Sequence, residues 1–192
     1  MSRRAQAAAA IAALMTLLMA GTARATITGT SGQVTLIAPP PSVLFHALQS
    51  NDTTFAFDEQ QDVTLTSDLT VNITVPGHYD QAAELTPGTI PAGTVVRSHF
   101  IHVDKVGQHA PYVTYEGCIT VDSDIIGVSV RGASLSAGDP LVGWPATTYP
   151  TGQIERQLEM RPDGSEDEVT LDVGIRDLCF HSENAAHVDQ IR

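Results

Sequence analysis

Apolar and polar residues alternate along most of this chain of 192 residues. Between residues 62 and 75 the apolar side chains share odd positions: Val63, Leu65, Leu69, Val71, Ile73 and Val75. Successive side chains of a β-strand point to opposite faces of a sheet, so this period of two predicts strands with one buried face. Residues 168–173 repeat the pattern, and Val169, Leu171 and Val173 are expected inside.

The alternation changes phase further along the chain. Apolar positions are odd up to Val121 and even within residues 126–130, and the polar residues 122–124 between them indicate a turn. The second run predicts a further strand. Turn-forming residues recur between the runs, for example at 136–140.

Helical pattern is almost absent. Residues 80–85 and 182–187 could each form a turn or two, and residues 186–192 are expected to form a last strand that closes a sheet. About ten short strands separated by turns predict an all-β fold, an antiparallel β-sandwich of jelly-roll type.

Residues 1–25 are expected to be an export signal rather than part of this domain. Two arginines precede an apolar run at 5–20, and small residues at 23–25 follow it. The run is shorter than the roughly 20 residues that span a bilayer, which disfavours the alternative of a membrane anchor. The pattern predicts cleavage near Ala25 and a secreted protein, extracellular or periplasmic, with a single β-sandwich domain over 26–192.

The charge of the chain limits its partners. The formal net charge is −12, and Lys105 is the only lysine. An acidic surface repels phosphate backbones and anionic lipid, so neither nucleic acid nor a membrane surface is expected as a partner once the signal is removed. An extracellular glycan or protein remains as a candidate partner.

The two cysteines, Cys118 and Cys179, both lie in strand-like apolar segments. An even number of cysteines in an exported chain favours a disulfide, with two buried thiols as the alternative. Closing a loop of this length would stabilise the fold by about 4 kcal/mol.

Several segments of the chain resemble, in the same order, a group of uncharacterised secreted bacterial proteins. These segments are FDEQ (57–60), LTPGTIPAGT (85–94), SHFIHVD (98–104), YPTG (149–152) and VDQIR (188–192). The resemblance implies a secreted all-β protein. It brings no assigned activity and no role for any residue.

The segment SHFIHVD, residues 98–104, places two histidines and an aspartate close together. On a strand, His99 and His102 point to opposite faces, whereas His102 and Asp104 share a face about 7 Å apart. His102 and Asp104 are therefore weak candidates for two metal ligands, and further ligands would have to come from neighbouring strands. The pattern favours the alternative that His102 pairs with Asp104 or with a residue across the sheet.

Two acidic segments, residues 122–124 and 163–168, carry the oxygen ligands that Ca²⁺ prefers. Neither follows the spacing of a twelve-residue calcium loop. We expect solvated acidic turns and no cofactor, with a structural Ca²⁺ as the alternative.

Trp144 and Tyr149 share a loop rich in proline and glycine and are weak ligand candidates, since aromatic rings can stack on a sugar. In the favoured alternative, the loop folds back and Trp144 caps the core. Asp58 and Glu59 could be considered as the carboxylates of a glycosidase, but neighbours on a strand face opposite sides. We expect them at an exposed strand edge.

These patterns predict no catalytic residue. We therefore expect a secreted, non-enzymatic β-sandwich module with a binding or structural role outside the cell. The alternatives are a secreted glycan-active hydrolase, whose carboxylates would come from separate strands, and a carbohydrate- or Ca²⁺-binding module.

Overall fold

The computed structural model describes residues 26–107, 111–150, 156–163, 166–184 and 187–192. The predicted export signal, residues 1–25, lies outside the described residues. Within the described ranges, no helix is long and apolar enough to cross a membrane.

The described residues form thirteen β-strands, one α-helix and one 3₁₀ turn. The helix, α1, covers Gly132–Val142, and the 3₁₀ turn covers Ala82–Glu84, within the first segment expected to be helical. The strands are β1 (Ile27–Gly32), β2 (Val34–Leu36), β3 (Thr54–Asp58), β4 (Val63–Thr64), β5 (Leu69–Val71), β6 (Gly77–Tyr79), β7 (Gly88–Ile90), β8 (Val95–Val96), β9 (His99–Val103), β10 (Val113–Val121), β11 (Glu168–Leu171), β12 (Asp177–Asn184) and β13 (Asp189–Ile191).

Two larger sheets make up the sandwich. Sheet A has the strand order β1–β10–β12–β11–β6, and sheet B has the order β13–β9–β3–β2. Two small sheets pair β4 with β8 and β5 with β7. Among the described strands, all pairings are antiparallel except that of β2 with β3. The all-β, sandwich-like fold expected from the alternation is confirmed, and β13 closes one edge of sheet B as expected.

The main hydrophobic core lies between sheets A and B. Val169 and Leu171 of β11 point into it, as the alternation predicted, and Phe180 of β12 joins them. Sheet B contributes Ile101 and Ile191 to the same cluster. The period of two therefore positions the inner face of both sheets.

The chain passes from sheet A to sheet B without a loop, because β2 follows β1 after one residue. Gly32, at this corner, has φ +66°, and an added Cβ would lie 2.4 Å from the Glu116 carbonyl oxygen. Gln33 extends the link, since its N–H donates to the Glu116 carbonyl and its own carbonyl accepts from Thr54. The corner thus requires glycine.

Sheet B is covered on its other face as well. Phe100 of β9 and Phe57 of β3 pack there against Leu135 of α1 and Val43 in a second apolar cluster. Strand β9 is therefore buried on both faces, and α1 forms a third layer.

Helix α1 was not expected, since residues 136–140 were interpreted as a turn. Two glycines and Pro140 lower its helical propensity. Its packing explains why it forms: Leu135 is fully buried, and Gly138 approaches Arg192 so closely that an added Cβ would lie 2.8 Å from Nη1. Tertiary contacts here outweigh local preference.

Two expectations about strands and one about a helical turn are also wrong. Residues 126–130 form no strand; Val128 makes only an isolated bridge to Ile73. Val173 is 85 % exposed, because β11 ends two residues earlier at a turn. The second segment expected to be helical instead begins with the last three residues of β12, Ser182 to Asn184.

Cys118 and Cys179 form a disulfide, as predicted. They are directly opposite each other on the neighbouring strands β10 and β12. The bond therefore joins the two central pairing partners of sheet A across a separation of 61 residues.

Candidate binding cavity

An apolar cavity of about 380 Å³ opens between the two large sheets. Sheet A contributes Ile119, Val121 and Leu178 to its lining, and sheet B contributes Ile101 and Ile191. All five side chains are buried members of the main core. The cavity is thus an extension of the hydrophobic core toward the surface.

The side wall of the cavity comes from the small sheets. Leu69 and Val71 of β5, Ile90 of β7 and Val96 of β8 line it. These residues belong to a separate apolar cluster that also contains Val142 of α1. The cavity therefore lies where two hydrophobic clusters meet.

Two exposed apolar side chains lie at the mouth of the cavity. Val95 is 60 % exposed and Ile126 is 51 % exposed, and both line the cavity. Ile126 was expected inside a strand, and its exposure follows from the absence of that strand. An apolar ligand passing the mouth would meet these two residues first.

Charged residues surround the mouth in pairs. Arg97 donates to Asp62 over 2.7 Å, and Arg176 donates to Asp124 over 3.0 Å. Asp62, Arg97 and Asp124 line the cavity. Because each pair is internally neutralised, the rim carries no uncompensated charge from these four groups.

His99 of β9 lines the cavity from the inward face of sheet B. Its side chain is polar and largely buried. It lies directly opposite Asp58 in the pairing of β9 with β3, and the His99 Nδ1 lies 2.8 Å from Asp58 Oδ1. Asp58 also accepts the backbone N–H of Ile27 over 3.0 Å and the hydroxyl hydrogen of Thr26.

These donors determine the protonation state of Asp58. Burial alone would raise the pKa of its carboxyl, but the hydrogen bonds from His99, Thr26 and Ile27 lower the pKa below its usual value. Asp58 is therefore an ionised acceptor that holds the His99 ring in place.

Glu59 points to the opposite face of sheet B from Asp58, as the alternation predicted. It is fully buried, so the expectation of an exposed strand edge is wrong. The two Glu59 oxygens accept two hydrogen bonds from Arg192, over 2.7 and 2.8 Å, and one each from the Ser98 and Tyr149 hydroxyls.

A second arginine extends this buried network. Arg192 and Arg156 both donate to Asp139, and Arg156 Nε donates to the Gln190 side-chain oxygen over 2.9 Å. Burial alone would lower the pKa of Arg192, but Glu59 and Asp139 raise it above its ordinary value. Two arginines and two carboxylates balance in charge, which is the condition for burying them.

His102 belongs to this network and not to a pair with Asp104. The Gln190 amide nitrogen donates to His102 Nδ1 over 3.1 Å and to the Val43 carbonyl over 2.9 Å. Burial, together with repulsion from Arg156, lowers the pKa of His102 to about 3. His102 is therefore neutral at physiological pH.

Asp104 instead anchors the loop that follows Val43. It accepts the backbone N–H of His46 over 2.6 Å and the Gln49 amide over 3.4 Å. Burial raises the pKa of Asp104 to about 6. Among the described residues, no group of three or more histidine, cysteine, aspartate or glutamate side chains is arranged to hold a metal ion.

The two acidic segments differ in structure. Asp122 and Asp124 are exposed on a turn, as expected. Asp167 is buried and accepts the backbone N–H groups of Glu159 and Glu183 over 2.6 and 2.9 Å, so a solvated position is wrong for this residue. Burial raises the pKa of Asp167 to about 6.

Trp144 and Tyr149 both line an open groove of about 540 Å³, but they differ in exposure. Trp144 is 38 % exposed. Tyr149 points inward: its hydroxyl donates to Glu59 and accepts the Trp144 N–H, and its ring packs edge-on against Phe100. Tyr149, rather than Trp144, is the residue that caps the core.

Comparison with known proteins gives no further assignment. No family model matches the chain, and no curated protein or solved structure shows significant similarity to it. The resemblance to secreted bacterial proteins therefore stays a prediction.

The spacing within residues 98–104 favours His102 over His99 as a ligand candidate, and the structure reverses their importance. The signal for His99 was present in the alternation, which places it on the same face as Ile101 and Val103. A histidine among apolar residues on an inward face is the feature that points to the cavity. Its partner Asp58 is 41 residues away, and no local pattern indicates that contact.

Proposed function

We propose that this protein is a secreted, non-enzymatic binding module and that the cavity between its sheets holds a small apolar molecule. The cavity itself, of about 380 Å³, is the observation that carries the proposal. Small-molecule sites are concave, mostly apolar and about 300 to 1,000 Å³ in volume, with a few polar groups that orient the ligand. The lining of this cavity has that composition.

The volume limits the size of the ligand. A protein cavity of about 150 Å³ binds benzene, so by proportion about 15 heavy atoms fit here. A chain of eight to ten carbons would gain about 0.8 kcal/mol for each methylene group that leaves water. After the costs of association, we expect dissociation constants of about 10 to 100 µM.

Secretion is supported by two features of the chain. Residues 1–25 have the pattern of an export signal, and the Cys118–Cys179 disulfide suits an oxidising compartment. An acidic protein outside the cell would meet small apolar molecules in water, where a buried apolar cavity gives the largest gain on binding.

The alternative functions receive less support from the geometry. The carboxylates of Asp58 and Glu59 separate to opposite faces of sheet B, and each is engaged by hydrogen bonds. Trp144 and Tyr149 line one groove, but Tyr149 is only partly exposed and its hydroxyl is already held by Glu59. A glycan-active site would need such groups to converge on one surface.

The proposal is tested by titrating the purified protein with N-phenyl-1-naphthylamine, a probe that fluoresces in apolar surroundings. We expect saturable binding to one site per chain. Ile126→Asp, which places a charge at the mouth, should weaken binding at least tenfold, because the probe must pass and contact this side chain.

Val173→Asp is the matched control. Val173, like Ile126, is an exposed β-branched apolar residue, but it is not among the residues that line the cavity. It should leave the dissociation constant within a factor of two. Circular dichroism should show that both variants fold, because both side chains are exposed. Absence of saturable binding, or equal effects of the two substitutions, would contradict the proposed function.

A further inference from the structure

We propose that the ligand carries a hydroxyl group that donates a hydrogen bond to Nε2 of His99 inside the cavity. The ligand class is then an amphipathic alcohol or phenol with an apolar body of about eight to ten carbons, given the cavity size. This inference rests on the proposed function and adds the chemistry of the head group.

The position of the imidazole ring is the first step. His99 lines the cavity, whereas Asp58 does not, and the ring turns its Nδ1 toward Asp58 over 2.8 Å. The edge that carries Nε2 lies on the other side of the ring from this hydrogen bond. The inward position of His99, shared with Ile101, places that edge on the cavity side.

The hydrogen bonds of Asp58 assign the proton of the ring. Asp58 Oδ1 accepts from the Ile27 N–H, and Oδ2 accepts from the Thr26 hydroxyl, so the carboxylate is an acceptor on both oxygens. Its partner on His99 must therefore be a donor, and the proton lies on Nδ1. If the ring carries this proton alone, Nε2 has a lone pair that accepts a hydrogen bond.

Three other polar side chains of the lining are held by protein partners. The Ser98 hydroxyl donates to Glu59, and Arg192 is held by Glu59 and Asp139. Arg97 is paired with Asp62 at the rim. His99 differs from these three residues, because its hydrogen bond to Asp58 uses one ring nitrogen and leaves the other to orient a ligand.

The experiment compares two competitors of nearly equal apolar size, 1-octanol and 1-methoxyoctane, for displacement of N-phenyl-1-naphthylamine. Only the alcohol can donate a hydrogen bond. In the native protein we expect 1-octanol to bind about tenfold more tightly, which is the size of one net hydrogen bond in a buried site. In His99→Phe this preference should fall to about one, while the affinity for 1-methoxyoctane, which has no hydrogen-bond donor, changes less than threefold.

His78→Phe is the matched control, because His78 lies on sheet A outside the cavity lining and pairs with Glu168 and Thr170. It should keep the tenfold preference. Nitrogen NMR of the native protein provides a measurement without a variant: His99 Nε2 should be unprotonated and should shift on addition of 1-octanol but not of 1-methoxyoctane.

The outcomes separate the two proposals. If the naphthylamine does not bind, the proposed function and this inference both fail. If it binds but the native protein does not prefer the alcohol, or if NMR shows a proton on His99 Nε2, the cavity remains a binding site and the hydroxyl inference alone is overturned.

Discussion

Glu59 and Arg192 form a two-point ion pair in which the guanidinium Nε and Nη2 lie 2.7 and 2.8 Å from the two carboxylate oxygens. The residues are 133 positions apart, and the pair connects the residue that follows β3 to the residue that follows β13. The guanidinium also lies over the Phe100 ring, 5.0 Å from its centroid. Two distant parts of sheet B are thus joined beneath helix α1.

Glu59→Gln should lower the free energy of unfolding by about 3 to 5 kcal/mol. The substitution removes the negative charge that neutralises Arg192 and leaves a buried arginine with Asp139 alone, and breaking one side of a buried ion pair has a cost of that size. Urea denaturation followed by circular dichroism measures the change.

Asp124→Asn provides the control for this prediction. Asp124 pairs with Arg176 at 3.0 Å, but both side chains are more than half exposed, and such surface pairs contribute at most about 1 kcal/mol. Equal losses in the two variants would show that the burial of Glu59 does not determine its contribution.

The same pair shows why part of this structure could be predicted from the sequence and part could not. Alternation correctly placed Asp58 and Glu59 on opposite faces of one strand, and it assigned the faces of His99 and His102. It could not identify Arg192 as the partner of Glu59, because strand pairing brings them together across most of the chain.

Helix α1 was missed for a related reason. Gly138 weakens an isolated helix, yet in the folded chain it permits the close approach of Arg192. The cavity was not predictable either, since it lies where two apolar clusters meet and depends on the relative positions of four sheets. The disulfide was predictable because an even number of cysteines together with a predicted export signal suffices for that inference.

His102 should make the protein less stable as the pH falls below 6.5. The unfolded chain binds a proton near that pH, whereas burial lowers the pKa in the folded protein to about 3. The stability from this group is therefore present above pH 6.5 and is lost toward pH 3. Relative to His102→Gln, the native protein should lose about 2 kcal/mol between pH 6.5 and 5, measured by urea unfolding at each pH.

Asp104→Asn should reveal a dependence of opposite sign. Burial raises the Asp104 pKa from 3.8 to about 6, so the folded protein is stabilised below pH 4 and loses this stability as the pH rises through 6. Relative to Asp104→Asn, the native protein should lose about 3 kcal/mol across that window. Parallel pH profiles for native protein and either variant would contradict the corresponding prediction.

Replacing both Cys118 and Cys179 by serine should lower the free energy of unfolding by about 4 kcal/mol. The disulfide closes a separation of 61 residues, and its loss restores the conformational entropy of that loop to the unfolded chain. Thermal unfolding with and without reductant measures the same effect on the native sequence. Detection of two reactive thiols in the native protein would contradict the disulfide itself.

Gly32→Ala should be markedly more destabilising than Gly93→Ala, although both glycines have positive φ. An alanine at either position bears the strain of the left-handed region, about 1 to 2 kcal/mol. At Gly93 an added Cβ meets no described heavy atom within 4 Å, whereas at Gly32 it would lie 2.4 Å from the Glu116 carbonyl oxygen.

Backbone atoms of a paired strand cannot move aside as a flexible side chain can, so the clash at Gly32 should add about 1 to 3 kcal/mol to the strain. The added cost would fall on the corner where the chain passes from sheet A to sheet B, next to the Gln33 hydrogen bonds to both sheets. Urea denaturation of the two variants measures the difference directly. Equal free energies of unfolding for the two variants would mean that the backbone at Gly32 can move away from Glu116 without a loss of stability. The direct passage between the sheets would then not depend on glycine.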